Sequence, residues 1–356
     1  MAARGTYTRD VDIHLAAVQL AWSHELYTSA DRFRARMLEL ADRAVAEAGD
    51  APRLVAFPEL VGLPLLLTVS GDRGALGAAS FGEALARLGR RDLGRWLRTG
   101  WDLGTLGPGA IYGTYAVDAY RVWHDTFAEA ARRTQAVVVA GSAFLPDVDH
   151  EPSSAWHVRD ASVHNVALTF APSGACVARS AKVHLTPGAE RRAGLRRGRI
   201  DDLYPVETPV GRVAVAVCLD GFHQRVMATL DGRCAQVVVQ PSANDAPWDR
   251  PWPRDPTRRE GEVWLAEGLR ATVQGRHSIR YGVNPMMVGD AFGLRPRGRS
   301  SLVVNRAAAG APRTASGLAE GLLALAPDAE REAIVHARVP HPSDVGSQHG
   351  TGGATR

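Results

Sequence analysis

RVAVAVCLDGFHQRVMATLDGRCAQVVVQPSAN, residues Arg212–Asn244, is the stretch on which the reading of the fold turns. Its apolar run Val213–Val217 delivers Cys218; Gly221 follows, then a helical-looking segment, Gln224–Leu230. Asp231-Gly232 turns the chain into a second apolar run, Ala235–Val239. Strand, sharp turn, helix and strand in this order form one βαβ unit with parallel strands. Such a unit sets Cys218 at the carboxyl end of a strand, where open α/β sheets usually bind ligands. Taken alone, Cys218 is equally well a small apolar residue that closes a buried strand.

The same pattern recurs nearer the start. Ile13–Leu20 reads as a buried strand, and Ser29-Ala30-Asp31 opens an alanine- and arginine-rich helix that Gly49-Asp50 stops. Leu54–Phe57 is a short second strand ending in Pro58-Glu59, so Glu59 also sits at a strand's carboxyl end. A carboxylate in that place serves equally as a helix cap or ion-pair partner. Between Glu59 and the strand Ala136–Ala140 the sequence predicts an insertion over 60–113, with one helical segment at Phe81–Leu97. Its start one residue past Glu59 makes it a lid or binding loop that narrows access; surface decoration or a subunit contact is the competing reading. A helix over Tyr115–Thr134 then crosses into Ala136–Ala140. Val163–Phe170, the turn Pro172-Ser173-Gly174 and Ala175–Ala181 read as an antiparallel hairpin, so the sheet is mixed. Lys182 leaves the second arm, and a lysine there is ordinarily solvated. Tyr281–Val288, Ser300–Val304, Leu322–Leu325 and Ala333–Val339 complete the strands, and 341–356 reads as a flexible tail after a single domain over 11–340.

Composition narrows the function. The 356 residues are 45% hydrophobic, ample for one large α/β domain. The net charge of +4 is spread along the chain without basic runs interleaved with aromatics, which argues against nucleic-acid binding. Three cysteines, an odd and small number, argue against a disulfide framework and for a reducing compartment. The longest apolar run, Leu60–Val69, is too short and too broken to span a bilayer, and the first residues lack a signal-peptide core. A cytoplasmic protein without membrane attachment is expected. No metal-ligand spacing, phosphate loop or G-x-S-x-G appears, so neither metal nor organic cofactor is expected.

PEL at 58–60, AKVHLTPGAE at 181–190 and VAVCLD at 215–220 bring a glutamate, a lysine and a cysteine in that order. This resembles the nitrilase superfamily of carbon–nitrogen hydrolases. LAAVQL, VVVAGSAF, NVALTFAPSG, VVVQPSAND and GLRPRGRSSLVV resemble its supporting strands, from Ile13 to about Pro340. The resemblance implies a four-layer α-β-β-α sandwich with mixed sheets, and pairing into a homodimer or higher homo-oligomer. It also implies a catalytic Glu59, Lys182 and Cys218, with Glu190 matching a second family glutamate that positions substrate and water. Leu219-Asp220 after the cysteine departs from the tryptophan-glutamate of nitrilases proper, which points to an amide or carbamoyl small molecule.

The chemistry needs these residue types. An amide carbonyl is a poor electrophile, so attack needs a strong nucleophile and a stabilised oxyanion. Glu59 takes the thiol proton while Lys182 keeps the local potential positive, and Lys182 with the Leu219 N–H receives the oxyanion. Asn244 and Trp248 lie on the segment leaving the strand after the nucleophile and are candidate substrate contacts, with Trp252 and Arg254 beyond them. A packed surface loop is the alternative for that segment. His164, His184 and His223 read as structural hydrogen-bonding residues, Cys176 and Cys234 as inert. An acyltransferase using the same acyl-enzyme, and a catalytically silent protein of this fold, remain the competing functions.

Overall fold

The opening strand, Asp12–Trp22, shows how the layers arise. In this computed structural model, which describes residues 11–149, 156–308 and 310–342, that strand is buried on both faces. Ile13, Leu15 and Ala17 join one apolar cluster, and Ala16, Val18, Leu20 and Trp22 join another. Side chains alternate across a strand, so the two clusters lie on opposite sides of the sheet. Leu54 and Ala56 against Val55 and Phe57, and Val137 and Val139 against Val138, divide in the same way.

The first sheet runs Met287–Gly289, Asp12–Trp22, Arg53–Ala56, Val137–Leu145, His164–Phe170, Cys176–Ala181. Ala333–Pro340 lies antiparallel along residues 12–19 of the opening strand. The second sheet runs Leu322–Leu325, Ser301–Val304, Tyr281–Asn284, Val237–Val239, Gly211–Val215, Val206–Thr208. Val213, Val215, Val217, Val237, Val239, Leu302 and Val304 face the first sheet and close the shared core. Ala214, Ala216, Val238 and Val303 face the helix Gln224–Gly232 and Leu269–Thr272 on the outer side. Helices Ala30–Val45 and Pro108–Thr134 cover the other sheet's outer face. The four layers are therefore helix, sheet, sheet, helix.

The βαβ unit is present, with Val213 opposite Val237 in parallel register, and the hairpin His164–Phe170 to Cys176–Ala181 is antiparallel. Other expectations are corrected. The strand delivering Cys218 ends at Val215, and Cys218 opens a short 3-10 turn, Cys218–Phe222. Tyr281–Val288 is two strands in different sheets, Tyr281–Asn284 and Met287–Gly289. Pro285, which has no N–H to give a ladder, stands between them. Phe81–Leu97 breaks at Asp92 into helices Phe81–Arg91 and Leu93–Asp102. The crossover helix starts at Pro108 after Gly107, seven residues before Tyr115. Gly109 and Gly113 lie inside it because a Cβ there would collide with Ala161 and Leu103.

The segment after Glu59 is no loose appendage. Val61, Leu63, Leu65, Leu66, Leu67 and Leu88 sit in the same apolar cluster as Trp123 and Phe127 of the crossover helix. Further out, Leu93, Leu97, Trp101 and Leu106 are exposed. Among the described residues no helix is long and apolar enough to cross a membrane. The tail expected over 341–356 lies outside the described residues from 343 onward.

Candidate active site

A β-bulge prepares the site. Between Val139 and Ser142 the pairing with His164–Phe170 shifts register, and Gly141 takes φ +62°. A Cβ at 141 would overlap the Pro58 carbonyl oxygen. Ser142 Oγ accepts from Leu60 N–H at 3.0 Å, and Ser142 O accepts from Gly62 N–H at 3.0 Å. The bulge thus holds the turn that carries Glu59. Gly141→Ala is expected to destabilise the protein by roughly 2–4 kcal/mol through left-handed strain plus the clash, read as a lowered urea midpoint. An unchanged midpoint would mean the turn moves freely.

Glu59, Lys182, Glu190 and Cys218 meet at the seam between the two sheets, and the exposures of 3%, 1%, 6% and 6% overrule the solvated reading of the lysine. Lys182 Nζ donates to Glu59 Oε1 at 2.8 Å and to Glu190 Oε1 at 3.1 Å. Asn165, from the strand His164–Phe170, donates through Nδ2 to the same two oxygens, at 2.8 Å each. The four groups therefore close a ring. The outer oxygens are held by backbone: Ala243 N–H donates to Glu59 Oε2 at 3.0 Å, and Thr186 N–H to Glu190 Oε2 at 2.6 Å. The Cys218 thiol lies close enough to Glu59 for the two groups to shift each other's pKa.

Burial, opposed by Lys182 and reinforced by Glu190, leaves the Glu59 carboxyl above the usual carboxylate range. Burial and then the Glu59 charge push the Cys218 thiol up, and Lys182 only partly offsets them. Two carboxylates thus surround one ammonium, and Lys182 is the charge that draws the thiol pKa down against them. For Lys182 burial acts downward, but Cys218, Glu59 and Glu190 outweigh it and raise its pKa.

A second set of bonds ties the halves together. Asp220, wholly buried, accepts from Val183 N–H, His184 N–H and His184 Nδ1, each at 2.8 Å. The turn after Cys218 is thereby clamped to the two residues after Lys182. His184 also stacks on His223 at 3.5 Å between centroids, and its bond to Asp220 makes His184 hydrogen-bonding as expected. His164 differs: its Nδ1 is buried without a hydrogen-bond partner. Leu219 is half-buried beside Cys218. Asn244 follows Ala243 and has Nδ2 buried without a partner. Trp248 packs in the loop, where a Cβ at Gly261 or Gly298 would crowd its ring, and its ring lies 6.2 Å from that of Trp264. Trp252 lies in the small hairpin Pro251–Trp252 with Asp255–Arg259, and Arg254 is exposed at its turn.

Sequence reasoning missed Asn165, Asp220 and Gln240. The signal was present for each: an amide or carboxylate inside an otherwise apolar stretch must find partners when buried.

The carbon-nitrogen hydrolase family profile matches residues 14–255. Among solved structures, a carbon-nitrogen hydrolase from Helicobacter pylori superposes with a TM-score of 0.61 at 16% identity, covering 95% of this chain and 92% of that one. A double mutant of the amidase from Nesterenkonia sp., in complex with acrylamide, gives 0.57 at 15% identity, covering 98% and 97%. The C. elegans NitFhit protein gives 0.57 at 17% identity, covering 95% of this chain and 63% of that one. No curated protein sequence is a significant match. With the profile spanning more than half of the chain and the four-layer fold shared with these structures, the chain belongs to the carbon–nitrogen hydrolase family of the nitrilase superfamily.

Proposed function

We propose that the protein hydrolyses the carbon–nitrogen bond of a small amide or carbamoyl compound through a thioester on Cys218. The buried ring of Lys182, Glu59, Asn165 and Glu190 beside a thiol carries this reading. Burying an ion cluster is at best neutral for stability compared with apolar packing. Perturbed ionisable groups gathered around a nucleophile are instead the mark of a functional site.

In this mechanism Glu59 takes the thiol proton as sulfur attacks the carbonyl carbon. The carbon–sulfur bond forms, and the carbonyl π electrons move to oxygen, where Lys182 and the Leu219 N–H balance the charge. The oxyanion collapses, the carbon–nitrogen bond breaks, and Glu59 returns its proton to the departing amine. Water then gives a proton to Glu59 and attacks the thioester; carboxylic acid leaves and sulfur regains its proton. Glu190 shares both donors with Glu59 and fixes its orientation. The raised Glu59 pKa suits a group that must both accept and return a proton near neutral pH. Asn244, with an unpartnered amide next to the Glu59-bound Ala243, is assigned to substrate. Trp248 is assigned to the wall behind it.

Leu219-Asp220 favours amides over nitriles. Ammonia release from matched amide and nitrile pairs is expected to be at least about ten-fold faster for the amide, a difference of roughly 1.4 kcal/mol in barrier. A faster nitrile would reject the substrate class. Hydroxamate formed from added hydroxylamine, to the exclusion of acid, would mark a transferase.

A further inference from the structure

Cys218 has φ +50°, in the left-handed region that a side chain with a Cβ rarely adopts. Two hydrogen bonds hold it there. Its N–H donates to Pro241 O at 2.8 Å, and its carbonyl oxygen accepts from Gln240 Nε2 at 2.6 Å. Gln240 is wholly buried; its side-chain Oε1 has no hydrogen-bond partner among the described residues, while its backbone is fixed. Its N–H donates to Val283 O, and its carbonyl accepts from Asn284 Nδ2 and Ser242 Oγ.

The peptide joining Cys218 to Leu219 is planar and trans, so its C=O and N–H point in opposite directions. Drawing the carbonyl inward to Gln240 turns the Leu219 N–H the other way, away from the second sheet's core. The N–H groups on either side are used, Cys218 to Pro241 O and Asp220 to Val217 O. Among the described residues the Leu219 N–H meets no backbone acceptor. Gly221 completes the arrangement, because a Cβ there would overlap the Gln240 amide.

We infer that Gln240 is a positioning residue that aims the Leu219 N–H at the substrate oxyanion, and that residue 221 must be glycine to leave room for it. This rests on the acyl-enzyme reading above and adds to it what orients the oxyanion donor. The test is Gln240→Met, which keeps length and volume but donates no hydrogen bond. For amide hydrolysis kcat is expected to fall on the order of 10–100-fold with KM within about two-fold, because an oxyanion donor acts on the transition state alone. Methyl methanethiosulfonate, which has no carbonyl, should still modify Cys218 within about two-fold of the unaltered rate, since thiol attack on it forms no oxyanion. Gly221→Ala, which displaces the same amide, should give the same split between turnover and modification. Equal losses in both reactions would place Gln240 on the thiol itself, and an unchanged kcat would leave the anchor without a role; either overturns the inference. Failure of the underlying reading looks different: turnover would survive Cys218→Ala.

Discussion

Cys218→Ala is expected to lower amide turnover by about 10,000-fold or more while leaving the fold intact, because losing a nucleophile removes the covalent route altogether. Removing one buried sulfur leaves a void worth about 1 kcal/mol, too little to unfold a domain of this size. Glu59, Lys182 and the Leu219 N–H remain in the variant and can still polarise a carbonyl, so the residual rate measures what they do without covalent catalysis. The decisive reading is mass spectrometry during turnover. The unaltered protein should show an acyl mass on the peptide containing Cys218, and the variant should show none anywhere. Turnover that persists in the variant, or an acyl mass on exposed Cys176 or Cys234, would remove Cys218 from the mechanism. A silent protein of the same fold would give neither mass nor turnover from the start.

Lys182→Met should produce the largest loss of stability, about 3–5 kcal/mol, because it strands two carboxylates without their cation. Glu59 Oε1 and Glu190 Oε1 would keep Asn165 Nδ2 as their shared donor, and a neutral amide does not cancel their repulsion. Glu59 already lies above the carboxylate range through burial, and without Lys182 its folded pKa rises further. A carboxyl whose pKa is raised on folding stabilises the fold below its unfolded value, and that contribution is lost as pH rises through the folded value. The deficit of Lys182→Met should therefore be smaller at about pH 5 than at about pH 8, because the window opens at an unfolded carboxyl near 4.3 and closes only above the raised folded one. Urea midpoints of both proteins at the two pH values test this. A deficit independent of pH would mean that lost packing, not stranded charge, explains the variant.

Glu59, Lys182 and Cys218 were legible as candidates because each stands just past a strand-like segment, and their order resembles that of a family. The helix-strand alternation before Ala140 and the parallel unit around Cys218 were legible for the same reason: local apolar runs with turn residues between them. The division into two sheets was not legible from periodicity. The central strands have both faces covered, as with Ala214 against Val215, so neither face carries the polar alternation that would betray its side. The start of the crossover helix was lost because Gly109 and Gly113 look like loop residues until Ala161 and Leu103 are seen against them. Asn165 and Gln240 depend on partners 106 and 22 residues away, across strands whose register no local pattern states.

Placing the polar cluster at the seam has a consequence for the fold itself. Most of the remaining inter-sheet contact is apolar, among residues such as Ile13, Leu15, Leu54, Val215 and Val239, and it adheres without direction; the Ser300 N–H to Gln19 and Tyr281 hydroxyl to Pro340 bonds are further directed links. A slip of one residue along either sheet moves a backbone group by about 3.3 Å, longer than the bonds that join Ala243 to Glu59 or Val183 to Asp220. Those bonds can be made in one alignment only. Glu59, which is assigned to chemistry, and the buried Asp220 thus also act as dowels that index one sheet on the other.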